Sequence, residues 1–336
     1  MNHKTFTYEQ EFSLQFGGLL PQLELSYSTL GTLNAHRDNV IWVCHALTAN
    51  SDVADWWSGL VGKGKLYDPE KHFIISVNVL GSHYGSTGPL SVNPKTGKPY
   101  YGSFPKTSIR DIVRSLILLR KELGIEKINT LIGGSIGGQQ ALEWSIIEPE
   151  IVENLVVIAS NAKHSPWGIA FNETQRLAIA TDHTWGQEDA EAGIQGMKTA
   201  RAIALLSYRN YKTYQATQEG KTESGALKAS AYQQYQGEKL AKRFNAYSYW
   251  TLSVAMDNHD LSEGRDSLQD ALRSIKAKTL VVGLSSDILF PVEESKFVAS
   301  HINEGTYVEI DSLYGHDGFL IETPALTEVI SKHFNQ

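Results

Sequence analysis

The feature that most constrains the fold is a six-residue turn, Gly133-Gly134-Ser135-Ile136-Gly137-Gly138, set between a β-branched apolar run, Ile128 to Ile132, and a helix-compatible segment, Gln139 to Ile147, that Pro149 stops. That order reads strand, sharp turn, helix. A G-x-S-x-G in this setting forms an elbow that pushes the serine Oγ clear of the sheet. The flanking glycines are needed because a Cβ at Gly133 or Gly137 collides when strand and helix fold so closely together. The backbone N–H of Ile136 then faces the same space as Oγ, at a helix N-terminus, and is a candidate oxyanion donor. The competing reading is an ordinary glycine-rich turn carrying a solvated serine.

An elbow of this kind needs a sheet around it, and the chain supplies one. Phe6 to Phe16 and Leu23 to Leu30 alternate apolar with polar residues and read as an antiparallel edge pair joined through Gly17-Gly18. Val40 to Cys44 and His72 to Leu80 are continuous apolar runs, as expected of strands covered on both faces. Thr107 to Gly124 has helical periodicity, Val152 to Ser160 is a further strand, and Lys278 to Gly283 and Gly305 to Ile310 complete the set. Pro291 to Ala299 and Pro324 to His333 read as helices begun by proline. The expectation is an α/β fold with a mostly parallel, doubly wound sheet. Between Asn161 and Lys276 strand-like runs vanish and helical ones take over: Phe171 to Ala180, Ala190 to Tyr208, Ala226 to Gln236, Leu240 to Met256 and Ser267 to Ser274. Tyr208 to Gly225 reads as an exposed excursion among them. So long a helical stretch is no simple crossover. We therefore expect residues 1–160 and 277–336 to form the core and 161–276 an inserted helical cap.

With 336 residues and a formal net charge of −7, the chain is long enough for a large core and too acidic for nucleic acid or an anionic membrane surface to be its main partner. Its single cysteine, Cys44, excludes an intrachain disulfide, fits a reducing compartment and reads as a small core hydrophobe. No signal-type N-terminus or membrane-length apolar run is present, so the cytoplasm is the expected compartment. No metal-binding or nucleotide-cradling motif appears, so neither a metal nor a permanently bound cofactor is expected.

A serine on an elbow requires a general base and a group to orient it, following in the order serine, acid, histidine. Asp287 lies just past the strand ending at Gly283, and His316 just past the strand ending at Ile310. Both emerge on the same sheet edge as Ser135. His316 would take the Oγ proton and Asp287 would fix its tautomer. The bland alternatives are that Asp287 caps the helix near Pro291 and that His316 is a surface-loop histidine. A second oxyanion donor is expected from the loop after the first parallel strand, at the N–H of Leu47, with His45 bracing that turn.

Several stretches carry a more specific likeness: Cys44-His-Ala-Leu-Thr, Ala54-Asp-Trp-Trp57, the loop from Gly85 to Tyr100, the elbow through Trp144, Phe171-Asn172 and Tyr314-Gly-His-Asp-Gly-Phe319. Together, and in order over nearly the whole chain, these resemble the homoserine O-acetyltransferase family of α/β-hydrolase-fold enzymes. The resemblance implies ping-pong acyl transfer from acetyl-CoA, as co-substrate, through Ser135 to L-homoserine in methionine biosynthesis, and a homodimer. It also implies that Arg201, in Thr199-Ala-Arg-Ala, binds the amino-acid carboxylate, that Asp317 meets the ammonium, and that Tyr208 lies near the intermediate. Such a pair of charges suits a zwitterion; the alternative for Arg201 is a surface pair with Glu191 or Asp189. The chain departs from the family's usual Gly-Gly-Cys-Lys-Gly at Gly81-Ser-His-Tyr-Gly85, and from its methionines at Ile136 and Gln139. Those changes leave open a succinyl donor or a serine acceptor, since one methylene is worth only about 1–3 kcal/mol. A carboxylesterase or thioesterase, or a non-catalytic binding protein on the same scaffold, are the further alternatives.

Overall fold

The structure is a computed structural model that describes residues 2–335. Among them, eight strands form one sheet: β1 (Asn2–Tyr8), β2 (Leu23–Leu30), β3 (Val40–Cys44), β4 (Phe73–Val77), β5 (Ile128–Gly134), β6 (Val152–Ile158), β7 (Lys278–Leu284) and β8 (Gly305–Ile310), in the spatial order β1-β2-β4-β3-β5-β6-β7-β8. β1 pairs antiparallel with β2 and β2 with β4, while every pairing from β4 across to β8 is parallel. The order reverses around β3, so the chain winds outward in both directions from the middle.

Burial on both faces explains the unbroken apolar runs. Val40, Trp42 and Cys44 of β3 join one core cluster, and Ile41 and Val43 join the other across the sheet. Trp42 meets Trp144 edge to face at 4.8 Å, fastening the helix after the elbow onto one face. Helices α1 (Ile109–Glu122) and α2 (Ile136–Ile147) cover that face. Ser108 opens α1 with a capping box, its hydroxyl accepting from the Asp111 N–H while the Asp111 carboxylate accepts from the Ser108 N–H.

Between β6 and β7 come α3 (Pro166–Ala180), α4 (Ile194–Tyr208), α5 (Tyr211–Gln218), α6 (Lys228–Ala241), α7 (Ala246–Asp257) and the short α8 (Leu268–Arg273). α3 packs on α4, α4 on α6, and α4 also touches the single turn Gly315–Asp317 that carries His316. Two later helices, α9 (Val292–His301) and α10 (Thr323–Phe334), follow, and short one-turn helices lie at Val53–Trp56 and Gly318–Ile321.

Three local expectations are corrected. The helix expected from Leu240 to Met256 is two, because Asn245 accepts from the Ser248 N–H and starts α7 afresh. The excursion from Tyr208 to Gly225 contains α5, capped by Asn210 and tied down where the Thr213 hydroxyl donates to the Leu313 carbonyl. Residues 12–20 do not extend the edge pair: Phe12–Ser13 and Leu19–Leu20 form a small hairpin around Gly17-Gly18, and β2 pairs instead with Asn2–Tyr8. Among the described residues no helix is long and apolar enough to cross a membrane.

Candidate active site

Ser135 sits between β5 and α2 with φ 59° and ψ −131°, a backbone conformation that side chains rarely occupy. Neighbours hold it there. Its N–H donates to the Ile158 carbonyl (3.0 Å), and its own carbonyl accepts from the Ser160 hydroxyl (2.8 Å) and the Gly138 N–H (2.9 Å). A Cβ on Gly133 would lie 2.2 Å from the Gly137 carbonyl oxygen, and one on Gly137 2.2 Å from that of Cys44. Those contacts are backbone on backbone, which no rotamer change relieves, so the turn demands glycine at both places.

Among the described residues, neither the Ile136 N–H nor the Leu47 N–H donates to a protein acceptor. Both belong to residues at the elbow end of the sheet, and Leu47 shares a cavity wall with Ser135. The Leu47 loop is fixed by His45, which is fully enclosed. Its Nε2 accepts from the Val79 N–H (3.1 Å), so the ring proton is on Nδ1, which donates to the Ala46 carbonyl (2.8 Å). Burial drives the His45 pKa down to about 4, keeping the ring neutral. His45 thus braces the turn, as its sequence position suggested.

His316 Nδ1 donates to Asp287 Oδ2 at 2.7 Å, and both side chains are almost wholly buried. The other oxygen of Asp287 accepts from the N–H groups of Leu289 (2.8 Å) and Phe290 (2.9 Å). Asp287 therefore does not cap α9, whose N-cap is Pro291; it closes its own loop with one oxygen and holds the histidine with the other. Phe290 stacks on the imidazole (5.0 Å, 24°), with Phe319 at 5.4 Å and Tyr208 at 5.7 Å on further sides. With Nδ1 committed to the carboxylate and the ring clamped by aromatics, Nε2 is the nitrogen left to exchange protons.

Ser135, His316, Leu47, Arg201, Tyr208 and Asp317 line one cavity of about 430 Å³. The sequence assigned roles to all six. Arg201 lies over the Tyr208 ring at 5.3 Å and has no carboxylate within ion-pair distance among the described residues, so the surface pair with Glu191 or Asp189 does not form. Its charge is left facing the cavity. Asp317 is not free in the same way: Arg209 Nε lies 2.8 Å from its Oδ2. Burial raises the Asp317 carboxyl above its ordinary value, with Arg209 and then Arg201 pulling against it. Burial also raises the Tyr208 phenol, so it stays protonated and able to donate.

Arg209 was missed in the sequence, although it follows Tyr208 directly. Nothing in the spacing says that the residue after α4 swings onto the turn after β8. Lys239 and Arg243, from α6 and the bend after it, also line the cavity unforeseen. Beneath the elbow lies a buried polar network. Gln139 of α2 donates to Asn161 (2.9 Å), Asn161 donates to Glu294 of α9 (2.9 Å), and Asn172 of α3 donates to Asp257 of α7 (2.7 Å). His164 sits in its middle, accepting from Asn172 at 3.3 Å, with burial driving its pKa to about 3. The position where Gln139 departs from a methionine is thus a polar tie between the elbow helix and the Asn161 turn.

With this geometry in hand, comparisons with known proteins are specific. The profile of the alpha/beta hydrolase fold matches residues 39–323. The homoserine O-acetyltransferase of Cyclobacterium marinum is 52% identical over 335 residues, covering 99% of this chain and 95% of that one. The enzyme of the same name from Chlorobaculum parvum is 44% identical over 97% of this chain and 92% of its own. In fold, the chain superposes on the crystal structure of esterase E22 with a TM-score of 0.89 at 25% identity, each chain 99% covered. A serine on a strand-to-helix elbow, with acid and histidine following on later strand ends, defines an alpha/beta hydrolase, and the match over most of the chain agrees. Within that class, the near-full-length identities show that the chain belongs to the homoserine O-acetyltransferase family.

Proposed function

We propose that the protein moves an acetyl group from acetyl-CoA to the hydroxyl of L-homoserine through an acetyl-Ser135 intermediate, as a step of methionine biosynthesis. The observation that carries this reading is the 52% identity, over almost the whole of both chains, to a homoserine O-acetyltransferase. His316 Nε2 takes the Ser135 Oγ proton as Oγ attacks the thioester carbonyl. The oxyanion is received by the N–H groups of Ile136 and Leu47. As the tetrahedral centre collapses, the C–S bond breaks and His316 returns the proton to the departing thiolate. The homoserine hydroxyl then gives its proton to His316 and attacks the acetyl carbon, and Ser135 Oγ leaves, reprotonated by the same nitrogen. Asp287 fixes the imidazole tautomer and steadies the cation that forms twice per cycle; the 2.7 Å contact with Nδ1 supports that role.

Acceptor recognition falls to Arg201 for the carboxylate and Asp317 for the ammonium, with Tyr208, whose ring meets both Arg201 and His316, near the intermediate. The unpaired charge of Arg201 in the cavity wall supports this assignment. The helices of residues 161–276 act as a cap that keeps water from the acyl-serine, with residues 1–160 and 277–336 as the catalytic core. The chain works in the cytoplasm as a homodimer, with acetyl-CoA as co-substrate and no permanently bound cofactor.

The fold shared with an esterase keeps hydrolysis as a second reading. Intact mass after brief exposure to acetyl-CoA, and separately to succinyl-CoA, tests the intermediate and names the acyl group. Thiol release followed with and without homoserine, and with serine in its place, then separates transfer from hydrolysis. Release at the same rate without any amino acid would overturn the transferase reading.

A further inference from the structure

The cavity that holds Ser135 and His316 has basic groups on its wall besides Arg201. Lys239, near the end of α6, and Arg243, just beyond it, line this cavity. Arg243 also lines an adjoining one of about 540 Å³, shared with Lys242 and Lys198. Lys242 is the C-cap of α6, three residues after Lys239, and Arg243 follows it directly, so the three cations gather at the helix end where the two cavities meet at Arg243. Among the described residues none of these three has a carboxylate within ion-pair distance, whereas Lys198 nearby is paired with Glu238 at 2.8 Å. Two carboxylates, Asp55 and the Arg209-paired Asp317, are also on the wall of the first cavity, and Glu191 and the Lys198-paired Glu238 on that of the second.

Cations at a helix C-terminus are stabilised by its dipole, and that alone accounts for a lysine such as Lys239. It does not account for Arg243. The Arg243 guanidinium turns to the Leu47 loop, donating to the Thr48 carbonyl, to Thr48 Oγ1 (3.2 Å) and to the Tyr84 hydroxyl (2.7 Å). Every one of those acceptors is neutral. The group is oriented but its charge is not compensated, in a chain whose net charge is −7. An oriented, uncompensated cation flanked by two exposed lysines on the walls of adjoining cavities is an arrangement for an anion with more than one charged group.

We propose that Lys239, Lys242 and Arg243 form a phosphate-binding rim that receives the phosphates of the acyl donor, so that acetyl-CoA lies with its thioester at Ser135 and its nucleotide end over the α6 terminus. This rests on the proposed function, because only a phosphorylated donor needs such a rim. It also gives Arg243 a second effect, since the loop it grips carries Leu47.

The test compares two donors that share the acetyl group: acetyl-CoA, and S-acetyl-N-acetylcysteamine, a thioester without phosphate. In the double variant Lys239→Ala/Lys242→Ala, the ratio of kcat/KM for acetyl-CoA to that for the short donor falls about tenfold, chiefly through KM, and charge reversal to Glu at both positions lowers it further. Both side chains are exposed, so the fold tolerates the changes. In the wild type, adenosine 3′,5′-bisphosphate inhibits competitively against acetyl-CoA, while inorganic phosphate at equal ionic strength does not. An unchanged donor ratio, or equal inhibition by inorganic phosphate, overturns the rim. A wild type that acquires no acetyl group from acetyl-CoA overturns the proposed function, and the rim with it.

Discussion

Arg209 and Asp317 are joined by an ion pair of 2.8 Å between the end of α4 and the turn after β8. The pair couples the helix that bears Arg201 to the turn that bears His316, and it supplies the charge that most strongly opposes the effect of burial on Asp317. In the role proposed for it, Asp317 must be ionised to hold the acceptor ammonium. Since burial raises its pKa, recognition of the acceptor weakens as pH falls through that value, and removing Arg209 moves the weakening to higher pH. In Arg209→Gln, the acid limb of kcat/KM for homoserine is expected to shift upward in pH, with acetyl-enzyme formation retained. Parallel pH profiles for variant and wild type would show that Arg209 has only a packing role.

Arg201→Ala removes the cation proposed for the acceptor carboxylate. We expect acetyl-enzyme to form at close to the wild-type rate, while transfer to homoserine falls by about 10²-fold or more, as when a charged hydrogen-bonding partner is lost. Rapid-mixing measurements of the two half-reactions check this, and equal damage to both refutes the assignment.

Ser135→Ala should give no acetyl adduct by mass and lose several orders of magnitude in turnover. Asp287→Asn keeps an oxygen for the Leu289 and Phe290 N–H groups but disturbs the imidazole tautomer, and turnover should drop by about 10⁴-fold with little change in fold. Kinetics combined with circular dichroism distinguish this from unfolding.

Three enclosed histidines set an acid limit on stability. Burial drives His45 to about 4, His164 to about 3 and His259 to about 4. An unfolded chain has histidines near ~6.5. Between that value and about 4 the unfolded state therefore binds protons that the folded state refuses, so stability falls on acidification through this window and is level above it with respect to these groups. Thermal unfolding from pH 7.5 to 4.5 should show the decline, and His259→Gln should make it shallower. An equally steep decline in the variant would exclude His259 as a contributor.

Much of the site was legible because its chemistry is local in sequence. The Ser135 turn is written in contiguous glycines, and Asp287 and His316 each sit in the loop past an apolar strand, so topology alone gathers them on one rim. What escaped is what depends on where helices lie in space. Arg209 reaches Asp317 only because α4 crosses the turn after β8. The break at Asn245 had a local signal, an asparagine three residues before Ser248, but the apolar run through Phe244 and Tyr247 masked it. The first edge pairing was misjudged because residues 12–20 close on themselves, leaving Asn2–Tyr8 to pair with β2. Lys239 and Arg243 look like any charged helix end until the cavity beside them is visible.

The backbone angles at Ser135 set durability against reactivity at a single α-carbon. A side chain there costs about 1–3 kcal/mol in an unfavourable conformation, more than the roughly 0.5–1 kcal/mol by which glycine loosens an unfolded chain. A glycine at 135 would therefore leave a protein that melts later than its Ser135→Ala counterpart and catalyses nothing. The heat tolerance forgone at that one position is the toll on turning a hydroxyl away from the sheet and into the cavity.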